Sequence, residues 1–140
     1  MRLRSASIRN YRTLESVDLA FPSSYAAICG PNDSGKTNVV RALRALVRGA
    51  PPGPFAFPDD EEFSRKDDYP KWKDTEPSKQ EMSFAVTVEL DATRDIGFYQ
   101  FVVTQLKLEK PPDPLALTIT VSHRGDRPEP SVEVSAGHAK

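Results

Sequence analysis

Cysteine is almost missing from this chain: Cys29 is the single one in 140 residues. One thiol cannot form an internal disulfide, so a stapled secreted scaffold is excluded and a reducing, cytoplasmic setting is expected. No apolar run approaches the ~20 residues of a membrane span. The start, Met1-Arg2-Leu3-Arg4-Ser5, lacks the apolar core of a secretory signal. A soluble domain without a membrane partner is therefore expected. Histidine is scarce too: His123 and His138 stand far apart without ligand-like spacing, so neither reads as a metal site. A strong charge of one sign is also absent, the net charge being −1. The charge is nevertheless uneven. Residues 1–50 carry eight Lys/Arg and three Asp/Glu, and the remainder carries eleven and seventeen. A basic front can meet nucleic acid, although charges this spread fall short of a dense basic patch and equally suit solvated faces.

Glycine is sparse, with seven residues, yet two of them punctuate the most informative segment, Gly30-Pro31-Asn32-Asp33-Ser34-Gly35-Lys36-Thr37. It fills every fixed position of the phosphate-binding loop G-x-x-x-x-G-K-[ST]. A chance match in so short a chain has odds of roughly 0.5%, so the motif predicts bound nucleoside triphosphate. Successive backbone N–H groups of such a loop converge on one concavity, and the following helix adds its unpaired N–H groups and positive dipole end. Gly30 and Gly35 permit turns closed to residues with a Cβ. Lys36 is placed to reach the β- and γ-phosphates as the catalytic cation, and the Thr37 hydroxyl to coordinate Mg²⁺. Asn32, Asp33, Ser34 and Asn38 complete the expected nucleotide-binding set.

The flanks fit this reading. Ser24-Tyr25-Ala26-Ala27-Ile28-Cys29 reads as a buried strand, with Cys29 as a small packed residue rather than a redox group. After Lys36, the positions Val39, Val40, Leu43, Leu46 and Val47 share one helical face, while Arg41, Arg44 and Arg48 form a stripe on another. Gly49 suits the helix cap, and Pro51-Pro52 forbid continuation. Before the loop, two strands joined at Asn10-Tyr11-Arg12 are expected; the first alternates poorly, whereas Val17, Leu19 and Phe21 alternate cleanly.

Residues 50–80 hold six prolines and the run Asp59-Asp60-Glu61-Glu62, and read as a loop or insertion partly ordered by Phe55, Phe57, Phe63, Tyr69 and Trp72. The acidic run reads as solvated charge rather than a metal or acid/base centre. Beyond it, Met82, Phe84, Val86, Val88 and Leu90 alternate strictly. Residues 95–106 suit a short helix or a strand, the helix being preferred. Leu115, Leu117, Ile119 and Val121 mark another strand, Gly125-Asp126-Arg127-Pro128 a turn, and Val132 and Val134 a last short strand.

Ile8-Arg9-Asn10-Tyr11-Arg12-Thr13-Leu14-Glu15-Ser16-Val17-Asp18-Leu19-Ala20-Phe21, followed by the loop, resembles the N-terminal lobe of ABC-type ATPase heads. It is most like the OLD-like (overcoming-lysogenization-defect) ATPases, with recombination-repair and chromosome-maintenance ATPases as cousins. The resemblance covers about the first fifty residues closely and the later strands by layout. It implies that Asn10, Tyr11 and Arg12 approach the nucleotide from the first hairpin, with Arg12 near the phosphates. It also implies an α/β P-loop lobe with an antiparallel β-rich subdomain. In this reading residues 1–50 supply hairpin, loop and helix, 51–80 the insertion, and 81–140 the β-rich part. ATP and Mg²⁺ are the implied cofactors.

Such a head also needs a signature motif, a strand ending in Asp-Glu and a switch histidine, and none is recognisable here. Val86-Thr87-Val88-Glu89-Leu90-Asp91 imitates the strand motif, but its alternation puts Glu89 on the solvent side. The γ-phosphate-sensing glutamine is not assigned among Gln80, Gln100 and Gln105. The lobe is thus expected to be incomplete without a C-terminal lobe supplied in cis or trans, and the 140 residues alone are expected to turn ATP over poorly. The family implies homo-oligomers formed through ATPase heads, a nuclease or effector subunit, DNA, and roles in DNA processing or anti-phage defence. A nucleotide-gated assembly module without turnover is the alternative. A small-molecule kinase would need an arginine-rich lid, which the insertion does not supply.

Overall fold

A computed structural model describes residues 1–23, 26–47, 69–70, 81–124 and 130–138. The alternating segments form five strands: β1 (Arg2–Tyr11), β2 (Leu14–Ala20), β3 (Glu81–Leu90), β4 (Leu115–Arg124) and β5 (Ser131–His138). They make one antiparallel sheet in the order β2-β1-β3-β4-β5. Two helices, α1 (Lys36–Val47) and α2 (Ile96–Gln105), complete the described elements. This is the β-rich lobe with a loop-borne helix that the sequence predicts.

The weak alternation of β1 has a local cause. Its register against β3 shifts between Leu3 and Ser5, so one residue is inserted and the inward phase changes there. Leu3, opposite Val88, and then Ala6 and Ile8, opposite Val86 and Phe84, all face the same core. Arg4 takes up the irregularity and pairs with Glu89 at 3.3 Å. Glu89 stands on the face opposite that core, as its alternation predicts, but beside Arg4 its side chain is only 15% exposed rather than open to solvent.

Helix α1 packs Val39 and Ala42 against Ala6, Ile8, Met82 and Phe84. Ile8 and Met82 are fully buried, and each such side chain contributes about 1.5–3 kcal/mol. Val40, expected on the packed face, is instead 45% exposed; the buried stripe runs through Val39 and Ala42, which leaves Val40 turned aside. Helix α2 confirms the helical reading of residues 95–106. It packs Tyr99 and Val102 over Leu90, Leu115 and Leu117, and Tyr99 Oη donates to Pro112 O at 2.8 Å.

One expectation is overturned. Of the strand expected over residues 24–29, Ser24 and Tyr25 lie outside the described residues, whereas Ala26–Gly30 forms no strand and is exposed, and Cys29 is an exposed thiol rather than a packed one. None of the strands among the described residues pairs with this segment. Its apolar residues therefore lack the sheet that would bury them, and Ile28 is 38% exposed. Within the insertion, Tyr69 and Pro70 are buried, Tyr69 within the α1 core. Arg48, Gly49, Pro51-Pro52, the acidic run, Phe55, Phe57, Phe63, Trp72, Gln80 and the Gly125 to Pro128 turn lie outside the described residues. No described helix is long and apolar enough to cross a membrane.

Candidate functional site

The loop after Cys29 closes through its own backbone. Ser34 N–H donates to Pro31 O at 3.4 Å, and Val39 N–H to Gly35 O at 3.0 Å, which starts α1. Asp33 and Gly35 both take positive φ, 62° and 85°. That region is open to glycine and costly for residues carrying a Cβ, so Asp33 is held there by the loop around it. A Cβ at Gly30 would lie 3.0 Å from Ser34 Oγ, and one at Gly35 would lie 2.8 Å from Leu14 Cδ2. The two fixed glycines thus serve different ends: the first lets the loop fold on itself, and the second lets it meet the β1–β2 turn.

The Lys36 ammonium spans the loop. It donates to Gly30 O at 2.7 Å and to Pro31 O, and lies 3.4 Å from Ser34 Oγ. Thr13 and the run Asn32, Asp33, Ser34, Gly35, Lys36, Thr37 and Asn38 surround a cavity of about 620 Å³, in the range of small-molecule sites. A lysine, the first turn of a helix and glycine-limited backbone therefore border one concavity, and this donor set suits phosphate.

The cavity wall formed by residues 32–38, with the Lys36 ammonium beside it, fits a triphosphate. The Thr37 hydroxyl on the cavity wall fits Mg²⁺, which needs few protein ligands because phosphate and water fill its other positions. Among the described residues no cluster of three or more His, Cys, Asp or Glu offers an alternative all-protein metal site.

The structure brings the expected residues 32–38 together around the cavity. The hairpin residues stand differently. Asn10 Nδ2 donates to Glu81 O at 2.9 Å. Tyr11 is buried, with its ring edge-on to Phe84 at 5.3 Å. Arg12 lies over the Tyr11 ring at 5.5 Å, a cation–π distance. The hairpin residue on the cavity wall is Thr13, whose Oγ1 accepts from Asn38 Nδ2 at 2.9 Å. Sequence reasoning missed Thr13 and Leu14. One signal was available: Leu14 falls out of phase with Val17, Leu19 and Phe21, which suits a residue serving the turn rather than a strand face. Gln100 and Gln105 lie on α2, outside the cavity wall, and His123 packs edge-on to Phe84 at 6.5 Å.

A sequence-family profile described as "AAA ATPase domain" matches residues 1–125. The chain is 43% identical over 49 residues to the DNA replication and repair protein RecF of Yersinia enterocolitica, a match covering 35% of this chain and 14% of that protein. RecF of Protochlamydia amoebophila is 36% identical over 59 residues, or 42% of this chain and 16% of that one. The matched regions thus span about one-seventh to one-sixth of these curated relatives. Among solved structures, the fold matches the recombination mediator protein RecF-ATP with a TM-score of 0.57 at 16% identity, covering 94% of this chain and 26% of that one. It also matches a structure described under ATP-driven dimerization and DNA-stimulated activation of SMC ATPases, with a TM-score of 0.59 at 16% identity, covering 96% and 69%.

Proposed function

This chain belongs to the AAA ATPase domain family, and from that premise we propose that it is the ATP·Mg²⁺-binding N-terminal lobe of an ABC-type ATPase head working in DNA repair or chromosome maintenance. The observation that carries the proposal is the cavity bordered by Lys36, Thr37, Gly35 and the start of α1. Backbone N–H groups and Lys36 hold the phosphates. As the γ-phosphoryl departs, the same groups neutralise its charge, so the chain's share of catalysis is positioning and electrostatic stabilisation. Mg²⁺, when bound beside the Thr37 hydroxyl, supplies further neutralisation of phosphate charge.

Completion by another lobe is part of the proposal. The exposed Ala26–Gly30 segment and the exposed Val40 lie on either side of the loop in sequence, and their apolar character suits burial under a second layer. A C-terminal lobe, in cis or in trans, would pair with the segment and supply the carboxylate and signature residues. Heads would then assemble around nucleotide, with DNA as the partner that the repair relatives suggest. The finer placement among OLD-like ATPases, with a nuclease or effector subunit and a role in anti-phage defence, rests on the resemblance of Ile8–Phe21 and the loop. A cytoplasmic location accompanies it.

The test is ATP binding and turnover by these 140 residues alone and with the sequence that follows Lys140 in its reading frame. Binding by the short form, with turnover only in the longer one, is the expected result. Nucleotide-dependent assembly with no turnover in any form would instead favour a nucleotide-gated module, and absence of binding in both forms would sink the proposal.

A further inference from the structure

The turn between β1 and β2 is held in a backbone conformation that residues with a Cβ avoid. Asn10 and Arg12 both take positive φ, 54° and 52°. Each is anchored: Asn10 through its amide to Glu81 O, and Arg12 over the ring of buried Tyr11. Two costly residues fixed in this way around a buried tyrosine define where the next residue points.

That residue is Thr13, and it is exposed on the wall of the phosphate-loop cavity. Its Oγ1 accepts the Asn38 amide at 2.9 Å. It also lies 3.4 Å from the position a Cβ would occupy on Gly35, where the loop backbone is barest. A threonine hydroxyl has one proton to donate besides its acceptor lone pairs. The amide of Asn38 uses acceptor capacity and fixes the oxygen, and among the described residues no acceptor is recorded for the Thr13 proton.

We propose that Thr13 is a phosphate-binding residue, donating its hydroxyl proton to a β- or γ-phosphate oxygen of the nucleotide, with Asn38 as the positioning residue that holds its oxygen. This deepens the ATP-binding reading above and rests on it. The strained turn then has a use: it carries a neutral donor from the sheet to the anion, on the wall of the same cavity that Lys36 lines.

Calorimetric titration of ATP and of inorganic tripolyphosphate into the intact protein tests this, with Thr13→Val, Thr13→Ser and Lys36→Ala beside the wild type. Thr13→Val keeps the branched shape and removes the hydroxyl. It should weaken both ligands about tenfold, the loss of one hydrogen bond to a charged acceptor. Thr13→Ser should stay within about twofold. If Thr13→Val fails to fold, Thr13→Ala takes its place with the same expectation. Wild-type affinity in the hydroxyl-free variant while Lys36→Ala loses binding overturns the role of Thr13 alone. Weakened ATP with unchanged tripolyphosphate overturns the phosphate contact in favour of the nucleoside. Unchanged binding in Lys36→Ala as well overturns the ATP reading beneath it.

Discussion

Leu14 and Gly35 meet where no further atom fits, since a Cβ on Gly35 would sit 2.8 Å from Leu14 Cδ2. Leu14 begins an edge strand of the sheet and Gly35 closes the phosphate loop, so this contact ties the two together. Its tightness also makes the second glycine doubly necessary, because its φ of 85° already excludes most side chains.

Gly35→Ala should therefore destabilise the fold by about 2–4 kcal/mol, combining left-handed backbone cost with overpacking. Leu14→Ala opens space for the new methyl group. The double variant should be more stable than the two single effects predict, and a double-mutant cycle of thermal unfolding measures the difference. Strict additivity would mean that the contact is not the source of the cost.

Lys36→Ala separates binding from stability. Its ammonium bonds carbonyls of an exposed loop, and water can replace it there, so the unfolding free energy should move by less than about 0.5 kcal/mol. ATP affinity should fall about 10- to 100-fold through loss of charge-assisted bonds. Titration calorimetry and thermal melts on the same samples check both halves.

Cys29 reports on whether a second layer covers the segment before the loop. Being exposed, it should react with a maleimide at the rate of an open thiol in the 140-residue form. In the longer protein, pairing of Ala26–Gly30 into a sheet should slow labelling by at least about tenfold. Equal rates in both forms would remove the case for that pairing.

Acid should loosen the approach to α2. The Asp91 carboxylate is held below the usual range by the backbone N–H groups of Arg94 and Thr93, and Asp95 by the Asp91 N–H and then the terminal amine of Met1. Both folded-state values lie below the unfolded value of ~3.9. Their contribution is present above that value and is lost as pH falls through the folded one. Asp91→Asn should accordingly melt lower than wild type at pH 6, and the two melting curves should converge as the pH falls below the usual carboxylate range. A constant gap across that window would contradict the assignment.

Much of the site was legible because a phosphate loop is specified by backbone chemistry at fixed positions, from Gly30 to Thr37. Strands β3 and β4 were equally plain, since their partners bury one face along most of their length. Strand β1 was not, because the irregularity at Arg4 changes phase between Leu3 and Ala6. The segment 26–29 carries the pattern of a buried strand, but the described sheet offers it no partner. Thr13 escaped notice because nothing in an exposed turn residue's identity announces which loop it will face; that depends on the positive φ of its neighbours Asn10 and Arg12.

Pairing of β1 with β3 has a consequence for how such a chain can change over time. The sequence between α1 and β3 joins two elements that already touch, and the closure cost of a connection grows slowly with its length, by about 0.6 kcal/mol for each doubling. Insertions there can accumulate without moving the phosphate loop, provided the buried Tyr69 and Pro70 keep their places. The two-residue turn at Arg12 and Thr13 has no such latitude. Divergent descendants of this lobe should therefore vary in length after α1 and keep the first hairpin at constant length.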